Sequence, residues 1–168
     1  ISVRLLQVED TDAVLNFERE NRDWFERWVP PRPDKYFTHE TLLKINTDLV
    51  NEARACTAYM HLILDADDQI IGRINLSNIQ RENTASADIG YRIAQTRVGR
   101  GVASHAVKLI EGMARNEYGF GTLYGSCLAS NSASCRVLVN QGFTKDSETN
   151  VIWNDTQVAM FRYRKSLP

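Results

Sequence analysis

The stretch Ile89-Gly-Tyr-Arg-Ile-Ala-Gln-Thr-Arg-Val-Gly-Arg-Gly-Val-Ala103 constrains this chain more than any other. A β-forming segment runs into a loop with glycines at 99 and 101, and an apolar helix follows at once. Val102, Ala106, Leu109, Ile110 and Met113 fall on one helical face, which predicts a helix over about 99–118 that stops near Gly119. Glycine permits backbone angles that turn several N–H groups toward one spot. The helix start adds unpaired donors and a partial positive charge. Such a corner suits an anion, phosphate above all, and Arg97 and Arg100 stand beside it. On the glycines alone, a plain turn opening a core helix is an equal reading. No G-K-[ST] follows, so the loop is not of the Walker kind. The third glycine of a dinucleotide fingerprint and its βαβ setting are also missing.

The flanking segments predict what surrounds that corner. Residues 2–8 read as a strand, and the acids of Glu9-Asp-Thr-Asp12 open a helix to about Arg22. Residues 23–34 hold Trp24, Phe25, Trp28 and three prolines, which predicts a loop. Its two tryptophans either pack simply or line a substrate cleft. Thr38 caps a second helix to about Arg54. The runs 57–64 and 69–79, with Asp65-Ala-Asp-Asp68 between them, predict a hairpin. Arg81-Glu-Asn-Thr84 is a second turn, and 85–94 makes the third strand of an antiparallel meander. Beyond the long helix come a strand over 123–128, a short helix over 131–140 with Asn131 as its cap, and closing strands over 145–153 and 157–163 about an Asn154-Asp155 turn.

Composition excludes several classes. At 168 residues the chain has the length of one domain, 1–168. Lys and Arg number 20 against 21 Asp and Glu, so no global basic field calls for nucleic acid. No apolar run is long enough for a transmembrane helix, and the N-terminus lacks the order of a signal peptide. Three cysteines, with no C-x-x-C, speak for buried or incidental thiols in a cytoplasmic protein. His39, His61 and His105 show no ligand spacing, so no metal is expected.

Val98-Gly-Arg-Gly-Val-Ala103 resembles the acetyl-CoA pyrophosphate loop of the GNAT N-acetyltransferase superfamily, Q/R-x-x-G-x-G/A. Gly101 and Ala103 match its last two fixed positions, and Val98 stands where Gln or Arg is usual. Asn131-Ser-Ala-Ser134, followed by Gly142-Phe143, is similar to the second cofactor motif, N-x-x-A/S with G-F. Within the superfamily, Ala87-Asp-Ile-Gly-Tyr91 and the aromatic–proline loop look like those of the ribosomal-protein alanine/serine N-acetyltransferases, the Rim type. The resemblance implies an α/β fold: a mixed, mainly antiparallel sheet of about seven strands, about four flanking helices and splayed central strands.

It also implies a reaction, transfer of acetyl from acetyl-CoA to a primary amine, and a set of sites. The main chain of Val98, Gly99, Arg100, Gly101, Val102 and Ala103 would hold the pyrophosphate, Ile93 would offer an N–H to the thioester carbonyl, and Asn131 would hold the pantetheine arm. The tyrosine that serves many members as acid falls at Leu138. Ser134 is the replacement, or else simply a residue satisfying the helix N-terminus; Cys135 beside it reads as packing. Asp88, one methylene shorter than the usual Glu, is a base or amine anchor, or else a strand-end acid in an ion pair. Trp24, Trp28, Tyr91, Glu26 and His39 are expected in the acceptor cleft, with Glu26 and His39 as fallback bases. An α-amine, with a pKa of about 7.7–8.0, is far more often neutral at pH 7 than a lysine at about 10.4, which favours a protein N-terminus. A small amine (antibiotic, polyamine or amino-acid derivative) is the alternative, and an idle acyl-CoA-binding module the rival class. A homodimer through the closing strand is conceivable.

Overall fold

In the computed structural model of the chain, residues 1–82, 84–153 and 155–167 are described. Seven strands form one sheet: β1 (Ser2–Leu5), β2 (Tyr59–Leu64), β3 (Ile70–Gln80), β4 (Ser86–Ile93), β5 (Thr122–Leu128), β6 (Thr144–Trp153) and β7 (Thr156–Ser166). Their spatial order is β1-β2-β3-β4-β5-β7-β6. β4 and β5 pair in parallel; the other neighbours are antiparallel. Helices α1 (Thr11–Glu20), α2 (Arg22–Phe25), α3 (His39–Arg54), α4 (Val102–Asn116) and α5 (Ser132–Asn140) cover both faces.

Strand alternation builds the two layers. Leu62 and Leu64 of β2 join Val14, Leu15 and Leu42 of α1 and α3 in one core. Ile63, between them, turns to the other face, where Ile74, Leu76, Ile89 and Leu123 meet Ala106, Ile110 and Ala114 of α4. Those three helical residues recur every fourth position, which is why α4 lies flat on the sheet. Thr38 caps α3 through the Thr41 N–H at 3.4 Å.

Five α-helices stand where about four were expected, because α2 forms at the start of the segment read as loop; a 3₁₀ turn over Asp34–Phe37 lies at its other border. The first strand ends at Leu5, short of residue 8, since a 3₁₀ turn follows; Asp10 accepts the Gln7 N–H there and pairs with Arg4 at 2.7 Å. The long helix starts at Val102 and not at Gly99, since Gly99 and Gly101 both have φ above +70°. Of the expected turns, Asn83 and Asn154 lie outside the described residues.

The parallel pair positions the site. Its register runs from Ser86–Thr122 to Ile89–Gly125 and stops there, while β4 continues to Ile93 and β5 to Leu128. The central strands therefore splay, as the resemblance implied.

Candidate active site

The splay leaves main-chain groups without partners. The Ala94 N–H bonds the Ile71 carbonyl at 2.9 Å, on the β3 side. Strand alternation then turns the N–H and C=O of Tyr91 and Ile93 the other way, where β5 has already diverged. The Trp24 indole N–H donates to the Ile93 carbonyl at 3.2 Å. The Asn21 side-chain oxygen accepts the Gln95 N–H at 2.9 Å. These two bonds pin the α1–α2 segment across the end of β4.

A cavity of about 440 Å³ opens in the gap, lined among others by Trp24, Trp28, Tyr91, Ile93, Asn131 and Ser134. Its rim is the glycine corner. Gly99 and Gly101 hold φ of 72° and 75°, and a Cβ on either would meet nothing within 4 Å. Gly101 caps α4 without a side-chain bond. No acceptor among the described residues meets the N–H groups of residues 99 to 104. This is a cradle of free donors at a helix N-terminus, opening on a cavity, which is the arrangement a pyrophosphate requires. Arg97 lines the cavity but is tied to Asp65 at 2.7 Å. Arg100 is exposed and does not line the cavity.

Two hydroxyls meet inside the cavity. Tyr91 Oη lies 3.0 Å from Ser134 Oγ, and it donates at 3.2 Å to the Ser134 carbonyl when not bonded to that hydroxyl. Burial holds the Tyr91 phenol well above its ordinary pKa, so it keeps its proton. Asn131 Oδ1 accepts the Ser134 N–H at 3.1 Å, capping α5 and fixing the serine; the Asn131 amide nitrogen has no partner among the described residues. Leu138 is buried in the core below. Cys135 packs with its sulfur 2.6 Å from that of Cys127, and Cys56 is exposed.

Three expected residues are not brought to this cavity. Asp88 has both carboxylate oxygens engaged, by Arg162 at 2.9 Å and by Asn78 at 2.9 Å. Glu26 is held by Arg22 at 3.0 Å. His39 is exposed at the start of α3, 3.4 Å from Asp12. The ion-pair reading of Asp88 is the one its geometry supports.

A second cavity of about 260 Å³ shares Tyr91, Arg92 and Ser134 with the first and is further lined by Arg73, Asn75 and Ser126. Beneath it lies a cluster absent from the sequence reading. Glu18, 2 % exposed, bonds Arg73 at 2.6 Å and Arg92 at 3.1 Å. The signal was present: Thr11, Val14, Leu15 and Glu18 fall on one face of α1, and a carboxylate on an apolar stripe needs a buried cation. Among the described residues, the charged side chains lining either cavity are Arg73, Arg92, Arg97 and Arg136; no carboxylate lines them.

Comparison with known proteins identifies the family and the fold. The acetyltransferase (GNAT) domain family matches residues 1–144. The probable N-acetyltransferase YjcK of Bacillus subtilis is 33% identical over 165 residues, covering 94% of this chain and 91% of its own. The ribosomal-protein-S5-alanine acetyltransferase of Vibrio fischeri superposes with a TM-score of 0.92 at 24% identity, covering 98% of this chain and 92% of that one. Mycobacterium smegmatis RimJ, solved with CoA-disulfide, gives 0.89 at 19% identity, covering 98% and 80%. At such identities the two structures speak for the fold.

Proposed function

The chain belongs to the acetyltransferase (GNAT) family, and from that premise we propose that it carries acetyl from acetyl-CoA to a primary amine that arrives uncharged, foremost the α-amine of a protein N-terminus. The observation that carries this reading is the charge of the cavities. Four arginines and no carboxylate line them among the described residues. Asp65 offsets Arg97, and Glu18 offsets one of Arg73 and Arg92. A polyamine or a lysine ammonium entering such a space still meets net positive charge and, among the described residues, no lining carboxylate to act as base. An α-amine with a pKa of about 7.7–8.0 is roughly one-tenth neutral at pH 7, and a lysine at about 10.4 is less than a thousandth neutral. The ribosomal-protein acetyltransferase among the structural neighbours is consistent with the same class of acceptor.

The residues present fit acetyl-CoA. The free N–H groups of residues 99 to 104 hold the pyrophosphate, with the open space at Gly99 and Gly101 admitting it. The main-chain N–H and C=O of Tyr91, with the Asn131 amide across the gap, would bind the peptide-like arm. Bound there, acetyl-CoA supplies an activated acyl group. The Ile93 N–H is a preorganised donor for a carbonyl oxygen gaining charge. Ser134 would give its Oγ proton to the departing thiolate and regain one from the ammonium that forms as the amine attacks, while Tyr91 keeps that hydroxyl oriented. Trp24 and Trp28, edge to face at 6.3 Å, exclude water from the meeting point.

The test is thiol release from acetyl-CoA with N-terminal peptides, a peptide whose only free amine is a lysine, and a linear polyamine, with products read by mass spectrometry. Peptide α-amines are expected to react at least tenfold faster in kcat/KM than either alternative. Acetylation of the polyamine with the peptides silent overturns the reading.

A further inference from the structure

The cluster on the α1 face of the sheet carries one charge too many. Arg73 and Arg92 are register partners on β3 and β4, so two guanidinium groups sit side by side. Like charges directly opposed on a sheet repel. Glu18 lies between them and is the carboxylate they share. The surrounding acids are committed elsewhere, Glu26 to Arg22 and Asp88 to Arg162. Arg73 is 5% exposed, and its Nε has no partner among the described residues. Arg92 is the cluster member that lines both cavities, at the place where they join beside Tyr91. Burial and the neighbouring Arg73 hold Arg92 below the ordinary guanidinium pKa, although Glu18 opposes the shift. Arg92 is partly buried, stacked 5.3 Å over the Phe25 ring, and shares its one carboxylate; a cation so placed is relieved by a ligand that brings an anion.

We propose that Arg92, backed by Arg73, is an acceptor-recognition site for a carboxylate carried close to the reacting amine. The guanidinium fork fits a carboxylate through two parallel N–H bonds, which fixes the acceptor's orientation as well as its affinity. This deepens the α-amine reading and rests on it. Two sources share the chemistry: the α-carboxylate of a free amino acid, and an acidic side chain at the first or second position of a peptide.

The experiment compares kcat/KM for matched acceptors at equal concentrations of neutral amine. One arm sets aspartate against asparagine at the first and second positions of amidated peptides. The other sets a free amino acid against its amide. In the wild-type protein the carboxylate partner of at least one arm is expected to win by about tenfold, mostly through KM, and the arm that responds names the source. In Arg92→Gln that ratio falls toward one, and Arg92→Lys retains part of it. Equal rates within both arms of the wild type, or an undiminished preference in Arg92→Gln, overturn the proposal. Calorimetric titration of the N-acetylated acidic peptide against its amide analogue, onto the CoA-loaded wild type, reads the same preference without turnover and without a variant that must fold. If no acceptor reacts at all, the function reading fails, and the titration still decides the carboxylate site.

Discussion

Tyr91 and Ser134 reach each other from opposite sides of the splay, one on β4 and one on α5, with oxygens 3.0 Å apart. Each hydroxyl has one proton, and the Ser134 carbonyl is a second acceptor for Tyr91. When Tyr91 donates to Ser134 Oγ, the serine proton is free to leave toward the cavity; when it donates to the carbonyl, the serine proton is held back. On the proposed reading the pair acts as a unit, and variants of its members are expected to lose activity non-additively. Ser134→Ala is expected to lower kcat on the order of a hundredfold, the usual scale for removing a general acid, with Tyr91→Phe somewhat milder. The double variant should be no slower than Ser134→Ala alone. Steady-state kinetics on all four proteins checks this; losses that multiply would show that the two hydroxyls serve separate ends.

At the scale of elements, the corner between β4 and α4 is the proposed anion seat because its backbone is left-handed at two points and its donors have no acceptor among the described residues. Gly101→Glu places a side chain at φ 75°, a strain of about 1–2 kcal/mol, in space that is otherwise open. The fold should survive with a small drop in Tm, while calorimetry should find no CoA binding, since a carboxylate then occupies the anion's place. Unaltered CoA affinity would refute the assignment of this corner. The corner was legible in the sequence because everything that makes it is local: two glycines, a helix period, and a strand ahead of them. The hairpins and the Asn131 cap were legible for the same reason. The two readings of Asp88 could not be separated in sequence because its motif position is local while its partner, Arg162, lies 74 residues away. The Glu18–Arg73 bond spans 55 residues, and no window of sequence contains both ends. α2 escaped notice because a single helical turn has no period to recognise, and the prolines that follow at 30, 31 and 33 suggested loop throughout.

Across the whole molecule, the pH ranges of stability and of catalysis separate, and His61 sets the first. Its ring is fully buried on β2, within 2.8 Å of the Tyr118 hydroxyl, and Tyr118 stacks on Tyr59 with centroids 3.9 Å apart. Burial brings its pKa down from 6.5 to about 4, and main-chain groups of Ile74 and Tyr59 oppose the shift without cancelling it. Between those values the unfolded chain binds a proton that the folded chain refuses. Stability therefore falls as pH drops from about 6.5 to about 4 and is indifferent to this group above and below. The full swing is about 3 kcal/mol at 1.36 kcal/mol per unit. Asp10 pulls in the same direction at lower pH, because Arg4 holds its carboxyl below the usual range and protonation forfeits that pairing. Urea midpoints at pH 7.5, 5.5 and 4.5 should fall in sequence for the wild type. The fall should shrink in His61→Gln, which keeps a hydrogen-bonding group for Tyr118 but has nothing to titrate; parallel curves would remove His61 as the cause. Because this window closes near pH 6.5, a rise in kcat/KM between pH 7 and 9 takes place in a protein whose stability no longer varies with His61. On the proposed function that rise reports deprotonation of the acceptor, and it should follow the acceptor's own pKa from one peptide to the next, because among the described residues arginines and no carboxylate line the cavities.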